Sequence, residues 1–372
     1  MRAMRIAVLV SGGVDSSLAL ARLAATGEHQ LTAFYLKIWL EDELAHLGAC
    51  PWEEDLSYAR AVCAQFDVPL EVIPLQQAYH DRVVQHAVEE LSRGRTPSPD
   101  IYCNAQIKFG AFFDNADVAD AFDAVASGHY ARVGHDGTHY QLLRAPDPVK
   151  DQSYFLSRLS QKQLGKLLFP IGDLQKHVVR SEAERLQLAA RDRPDSQGIC
   201  FLGKIRYPEF VRAYLGDRPG DIVDTATGKV LGPHRGVWYH TIGQRKGLGL
   251  GGGPWFVVGK DLEADRLYVA HGDTHTRESV FVAEDAHWIG PAPSAGPVQV
   301  KLRHGPRLAD AALAFEGDTL RVTLAHPDQG IAPGQHVVFY GVGTDVCLGQ
   351  GVISAVIPAN APAPESQPTP TH

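Results

Sequence analysis

One stretch near the N-terminus, RIAVLVSGGVDSSLALARL from Arg5 to Leu23, narrows the fold more than any other feature of the chain. The apolar residues Ile6 to Val10 predict a strand, Gly12 and Gly13 a tight loop, and Asp15, Ser16 and Ser17 the opening of a helix. A strand feeding a helix through glycines commits this part of the chain to a βα unit. Its helix start would offer outward N–H groups and the positive end of the helix dipole to an anion. Two common phosphate loops are excluded. No lysine follows the glycines, as G-x-x-x-x-G-K-[ST] requires, and G-x-G-x-x-G is absent from the stretch. The S-G-G string alone is also compatible with a plain turn.

The alternation continues through the first half of the chain. Leu31 to Trp39 and Leu70 to Leu75 read as strands flanking a helix from Glu53 to Phe66, in which Leu56, Ala59, Cys63 and Phe66 recur at helical spacing. A longer helix is predicted from Tyr79 to Arg93, stopped by Gly94. A strand at Ala124 to Ser127, a hairpin turning on HDG, and helices over Gln161 to Leu168 and Arg180 to Ala190 follow. Strands joined by helices predict an α/β fold with a doubly wound parallel sheet, ligands binding at the carboxyl ends of its strands. Beyond about Ile205 helical periodicity fades into short alternating runs such as WFVVGKD, PVQVKLRHG and HVVFYG. These predict small β domains or barrels, with a join near Thr276 to Val280. The proline-rich end PANAPAPESQPTPTH has few core-forming residues and is expected to be disordered.

Bulk properties bound the class. A chain of 372 residues, 44% hydrophobic and 21% charged, should form two or three globular domains. No apolar run is long enough for a bilayer span, and the first ends at Ser11, so neither a membrane helix nor a secretory core is expected. Five cysteines without paired short spacings fit a reducing cytoplasm. A net charge of -8 argues against a globally basic nucleic-acid coat but leaves a local one open. Thr225 to Lys260 contains no acid yet holds Lys229, Arg235, Arg245, Lys246, Lys260, His234 and His240, with Trp238, Tyr239 and Trp255 as stacking candidates. The string GLGLGG, Gly247 to Gly252, matches G-x-G-x-x-G by letter, but Pro254 and a strand follow instead of a helix, so a loop is expected. No C-x-x-C or H-E-x-x-H appears, which counts against zinc and against a cluster-bearing cysteine pair.

Two further segments carry chemistry. In RTPSPDIYCNAQIKFGAF, Arg95 to Phe112, Asp100 can cap a helix whose first turn then holds Cys103. Cys103 is there either a small buried residue or a thiol whose pKa the helix N-terminus depresses. In RPDSQGICFLGK, Arg193 to Lys204, Cys200 lies between glycines and outside any core pattern. Cys63 and Cys347 have the spacing of core residues, while Cys50, in GACPWEED, is assigned a structural or peripheral role.

Taken in order, SGGVDS, EEDL, TPSPDIYCN with IKFG, GHYAR, KDQSYFL, LFPIGDL, DSQGICF, TIGQRKGLG, VVGKD and PGQHVVFY resemble the tRNA-specific 2-thiouridylases, members of the PP-loop ATP pyrophosphatase group. The likeness runs from Arg5 to about Ile357. It implies a catalytic PP-loop domain over 1–205, a central β domain over 206–277, a C-terminal β-barrel over 278–357 and a tail over 358–372. It also implies ATP, with Mg²⁺ near Asp15, on Leu9, Val10, Ser11, Gly12, Gly13, Val14, Asp15 and Ser16, with Leu36 and Gly128 around adenine and ribose. Cys200 would carry a persulfide, Cys103 would be the nucleophile that frees its sulfur through a transient Cys103–Cys200 disulfide, and Asp100 would be the acid/base. Ser98, Pro99, Asp100, His129, Lys150, Asp151, Gln152, Arg303, His304 and Gln335 match positions that touch tRNA. Ser98 stands where the family commonly has asparagine, and Leu36 where it often has methionine. The implied partners are tRNA and a persulfide-carrying donor protein, with no membrane. An amidating PP-loop ligase is a rival that would not need two loop cysteines. A non-catalytic RNA-binding or sulfur-trafficking protein is a second, and the intact SGGVDS counts against it.

Overall fold

The computed structural model describes residues 3–38, 52–115, 120–195, 206–272 and 277–357. Cys50, Cys200, Trp39, Thr276 and the 358–372 tail, each the subject of an expectation above, lie outside the described residues.

The opening stretch forms β1 (Arg5–Leu9), a glycine loop and the helix α1 (Val14–Thr26), closed by Gly27 in the left-handed conformation. Next come β2 (Gln30–Lys37), a helix over Trp52–Gln65, β3 (Leu70–Pro74), β4 (Ala124–Ser127) and the short β7 (Leu167–Leu168). These strands make one parallel sheet in the order β3-β2-β1-β4-β7, with β1 at its centre. Successive residues of the first run divide between two cores: Ile6, Val8 and Val10 face one, Ala7 and Leu9 the other. Burial on both faces explains why the run reads as continuously apolar rather than alternating, and it bears out the doubly wound expectation.

Several boundaries differ from the expected ones. The helix assigned to Tyr79–Arg93 starts at Gln76 and carries a π-helical stretch, His80–Val84, between Gln76–Tyr79 and Gln85–Ser92. Gly94 stops it as expected, at φ 74°, its N–H donating to the Leu91 carbonyl. The helix expected over Gln161–Leu168 ends at Leu164, because Leu167 and Leu168 are taken up as the sheet edge beside β4. The one expected over Arg180–Ala190 runs instead from Lys176 to Arg185, and Gln187 reverses the chain at φ 53°.

A helix that periodicity did not signal spans Tyr207–Leu215. At its start the Glu209 carboxylate accepts from the Arg206 N–H and guanidinium, Pro208 fits the first turn, and Phe210 and Val211 enter the same core as Leu91. Beyond it β8 (Gly220–Asp224), β9 (Val230–His234), β10 (Trp255–Asp261) and β11 (Arg266–His271) form a four-stranded sheet ordered β10-β11-β8-β9. Then β12 (Arg277–Trp288), β13 (Gly296–Lys301), β14 (Ala309–Glu316), β15 (Thr319–Gln329), β16 (His336–Tyr340) and β17 (Val346–Ile357) pair antiparallel. Pairing of β12 with both β15 and β17 closes these six strands into the expected barrel.

The HDG hairpin, β5 (Ala131–His135) and β6 (Tyr140–Arg144), does not join the parallel sheet that surrounds it in sequence. It extends the barrel sheet instead, with Leu142 opposite Cys347 and Leu143 opposite Val346. The N-terminal part and the barrel are therefore tied by backbone hydrogen bonds.

Candidate active site

The glycine loop is shaped by its own hydroxyls. Ser16 Oγ accepts from the Ser11 N–H at 3.1 Å and donates to the Gly13 carbonyl at 3.1 Å, and Ser17 Oγ donates to the same carbonyl at 2.9 Å. Gly12 sits at φ 74°, where a Cβ would run into the Asp55 carbonyl oxygen. The first helical bond of α1 runs from the Ser17 N–H to the Gly13 carbonyl, so the amides of Val14, Asp15 and Ser16 point out of the helix start. Gly128, just past β4, lies against that start, where a Cβ would be 2.6 Å from the Ser16 nitrogen. Leu9, Leu36 and Gly128 thus fall at the carboxyl ends of neighbouring strands β1, β2 and β4.

Asp15 is held by groups remote in sequence. Its carboxylate accepts from the Tyr130 hydroxyl at 2.8 Å and from Lys176 Nζ at 2.7 and 3.0 Å. Lys176 also meets Asp195 at 2.8 Å, and Asp195 takes Lys150 and Arg180 at 2.5 Å each. Arg193 reaches the Gly12 carbonyl at 2.9 Å and Asp55 at 2.6 Å. Partial burial pushes the Asp195 carboxyl up, but hydrogen bonds and charges from Lys150 and Lys176 outweigh it and hold the group below the usual carboxylate range. Burial and the Asp15 charge push the Tyr130 hydroxyl far above its ordinary value, so it stays a donor. Tyr130, Lys176, Arg180, Arg193, Asp195 and Asp55 were not singled out from sequence. Asp55, Tyr130, Arg193 and Asp195 fall inside the strings EEDL, GHYAR and RPDSQGICFLGK, whereas Lys176 lay outside the helix expected from Arg180.

The second constellation surrounds Cys103. Ser98, not Asp100, is the N-cap of the Pro99–Tyr102 helix, and Cys103 opens the π-helical stretch Cys103–Ala111. Cys103 therefore lies two residues deeper than expected, its own N–H spent on the Pro99 and Asp100 carbonyls, and it is 1% exposed. Its proximity to unspent helix-start amides is accordingly not found.

Several positions brought forward by the family resemblance are linked through intervening residues. Asn104 Nδ2 donates to the Asp100 carbonyl at 3.0 Å and the Phe155 carbonyl at 3.3 Å, and the Phe155 ring stacks on His304 at 4.7 Å. Tyr154, hydrogen-bonded to Ser98, donates to the His336 carbonyl at 3.2 Å, next to Gln335. Ser98 to Asp100 thus faces His304 and Gln335 across the seam between sheet and barrel.

Other positions are placed differently. Asp151 is 2% exposed and lies inside the protein: it accepts from the N–H groups of Ala145 and Ser153, from Ser153 Oγ, and from the buried Lys301 ammonium at 2.6 Å. A carboxylate so enclosed has no oxygen to turn towards RNA. Gln152 accepts from the Tyr130 N–H at 2.9 Å, and Lys150 is occupied by Asp195. His129 is fixed by Ser127 at 2.8 Å, and burial together with Lys108 lowers its pKa well below the usual value, so it is a neutral ring at pH 7. Arg303 is exposed on one side and held by Asp328 at 2.7 Å.

The acid-free segment is less basic in space than in sequence. Arg235 is paired with Asp217 at 3.0 Å, and Lys260 donates to the Gly94 carbonyl at 2.8 Å, with burial lowering its pKa to about 8. His234 and His240 are buried, and burial takes His240 down to about 4. Trp238 is buried with its indole N–H on the Gly216 carbonyl, which removes it as a stacking surface. Lys229, Arg245 and Lys246 remain exposed, without an ionic partner among the described residues. Arg245 and Lys246 follow a loop in which Gly243 packs against Gly330, beside Arg303.

Residues 4–204 match the family described as tRNA methyl transferase HUP domain, residues 208–271 its PRC-barrel domain, and residues 278–353 an aminomethyltransferase beta-barrel domain. A protein of Parabacteroides distasonis named tRNA-specific 2-thiouridylase MnmA is 44% identical over 359 residues, covering 94% of this chain and 99% of its own. Proteins of the same activity name from Bacteroides thetaiotaomicron (44%, over 94% and 100%) and Porphyromonas gingivalis (43%, over 94% and 99%) are similarly close.

Proposed function

The chain belongs to the tRNA-specific 2-thiouridylase family, and we infer from this that it is a tRNA-uridine 2-sulfurtransferase acting on the wobble uridine. The domain descriptions speak of methyl transfer. That chemistry would need neither an ATP-cleaving loop nor a pair of thiols, so the SGGVDS loop and the cysteines favour sulfur transfer.

The chemistry follows from the substrate. A uracil carbonyl is a poor electrophile and its oxygen a poor leaving group. The carbonyl oxygen on ring carbon 2 therefore attacks the α-phosphorus of ATP and pyrophosphate departs with the electron pair of the broken bond. Sulfur from a cysteine persulfide then attacks the activated carbon and AMP leaves with the oxygen. In our reading the outward amides of Val14, Asp15 and Ser16 hold the phosphates, while Leu36 and Gly128 border the adenosine. Asp15 is the carboxylate suited to Mg²⁺, which would screen the pyrophosphate charge. Asp100 is the acid/base, Cys200 bears the persulfide, and Cys103 attacks the Cys200 sulfur, leaving a Cys103–Cys200 disulfide for a cellular reductant. A persulfide-carrying protein supplies the sulfur, and the cytoplasm supplies the reductant. The units 1–205, 206–277 and 278–357 divide this work between catalysis and RNA holding. No helix among the described residues is long and apolar enough to cross a membrane.

The observation that carries the reading is the linkage of Ser98–Asp100 to His304 and to the neighbourhood of Gln335 through Asn104, Phe155 and Tyr154, because it sets a run read as base-contacting beside the barrel. Radiolabelled pyrophosphate release tests it. Release should require substrate tRNA, and Asp15→Asn should lower it by about 100-fold or more. Equal release without RNA, or normal release by Asp15→Asn, overturns adenylation of the base.

The surface prediction is narrower than the sequence suggested. Changing Arg245 and Lys246 together to Ala should weaken binding of all substrate tRNAs and flatten the log–log salt slope by about one unit per lost phosphate contact. The same pair of changes at Arg235 and Lys260, whose charges are already engaged, should leave the slope nearly unchanged. Filter binding across a salt series reads both.

A further inference from the structure

We propose that Lys176 is the phosphate-binding lysine that the glycine loop lacks, delivered to the nucleotide from the first position of the Lys176–Arg185 helix. The inference rests on the adenylation reading above and adds a residue to it. In the loops excluded at the outset, the lysine follows the glycines in sequence. Here Val14 and Asp15 follow them, and an ammonium arrives in space: Lys176 Nζ lies 2.7 Å from Asp15 Oδ1 and 2.8 Å from Asp195 Oδ1.

Three observations set it apart from an ordinary surface ion pair. Its side chain is only 14% exposed. Its backbone is fixed, since the Lys176 N–H donates to Asp147 Oδ2 at 3.0 Å, and its ammonium lies 5.7 Å from the Tyr130 ring centre while Tyr130 holds the same Asp15 carboxylate. Among the described residues, it is the lysine or arginine that bonds the loop carboxylate itself; Lys150 and Arg180 reach Asp195 instead, Arg180 also holding the Arg191 and Arg193 carbonyls, and Arg193 meets Asp55 and a loop carbonyl. Lys150, Lys176, Arg180 and Arg193 thus gather with Asp15, Asp55, Asp147 and Asp195 at the mouth of a helix start whose outward amides favour an anion. The paired lysine ammonium beside those amides is placed to follow a phosphate when one enters.

The role follows from where charge develops. Attack on the α-phosphorus forms one P–O bond and breaks the bond to the β-phosphate, whose oxygen takes the electron pair. A cation held beforehand at that oxygen stabilises the transition state without reorganising. Asp15 and Asp195 are the groups that hold it, and Lys176 is the donor.

The test uses the full-length protein with Lys176→Met and Lys176→Arg, and reads equilibrium binding beside turnover. Lys176→Met should lower the rate of tRNA-dependent pyrophosphate release by about 100-fold or more. It should weaken binding of inorganic pyrophosphate and of ATP at least tenfold, while binding of AMP and of tRNA stays within twofold. Lys176→Arg, which keeps the charge, should recover part of the pyrophosphate affinity. A merely structural lysine would lower AMP and tRNA binding together with pyrophosphate, or lower only Tm, and either result overturns the proposal. So does a Lys176→Met protein with normal pyrophosphate affinity. If the wild-type protein itself released no pyrophosphate with tRNA, the adenylation reading would fail; normal wild-type release with an unaffected Lys176→Met protein would remove Lys176 alone.

Discussion

Alanine at Cys103 or Cys200 should abolish thiolation of substrate tRNA, whereas alanine at Cys63 or Cys347 should leave it running. The contrast rests on placement. Cys63 is buried in the Trp52–Gln65 helix, and burial pushes its thiol up to about 11, so almost no thiolate exists at pH 7. Cys347 is fully enclosed in β17 opposite Leu142, and burial raises its thiol further. Either change trims a small buried side chain, a loss of about 1 kcal/mol at most sites. Cys103 instead stands between Tyr102, whose ring contacts His336, and Asn104, which clamps the Asp100 carbonyl. Cys347 lies in the same core but inside a paired barrel strand, whereas Cys103 opens a helical turn beside the Ser98–Asp100 run. Both Cys103→Ala and Cys200→Ala should still release pyrophosphate with tRNA for about one turnover, since adenylation precedes sulfur transfer. Nucleoside mass spectrometry after incubation with ATP and a persulfide donor gives the readout. Full thiolation by Cys200→Ala would sink the assignment of the two thiols.

Replacing Lys301 with Met should destabilise the protein by about 3–5 kcal/mol, because it strands the Asp151 carboxylate in the interior. The two side chains are each 2% exposed and 2.6 Å apart, so solvent screening does little for either. Lys301 belongs to β13 of the barrel, and Asp151 to the KDQS run that leaves the hairpin. The flanks of Asp151 carry the disturbance onward: Lys150 to Asp195, Gln152 to the Tyr130 backbone, Ser153 to the Tyr340 hydroxyl at 3.0 Å. The double variant Asp151→Asn, Lys301→Met should recover part of the loss, since no lone charge remains. Denaturant unfolding followed by tryptophan fluorescence measures all three proteins. A loss below about 1 kcal/mol in Lys301→Met would show that Asp151 finds water or another cation instead.

What could be read from sequence is what neighbouring residues decide together. The apolar run Ile6 to Val10, the glycines and the polar helix start specify a βα unit, because strand pitch, left-handed backbone and helix capping are local properties. Gly94, Cys63 and the parallel sheet follow from the same periodicities, while the alternating runs beyond Ile205 announce β structure and the barrel came from the family resemblance. The order of motifs carried the family and with it the chemistry.

Tertiary structure decided which groups meet. Lys176 lies 161 residues from Asp15 and reaches it only because two helices converge at one sheet edge. The HDG hairpin looks from sequence like part of the α/β unit, yet its free edge is satisfied by β17, since an unpaired strand edge takes whichever backbone approaches. Asp151 carries the same letter whether it faces RNA or Lys301, and burial alone separates the two. Likewise Arg235 and Lys260 count as positive in a composition but are spent on Asp217 and the Gly94 carbonyl. Periodicity records whether a residue faces inward. It does not record the partner, because the partner's distance along the chain leaves no trace in local pattern, and for charged groups the partner determines what the residue can do.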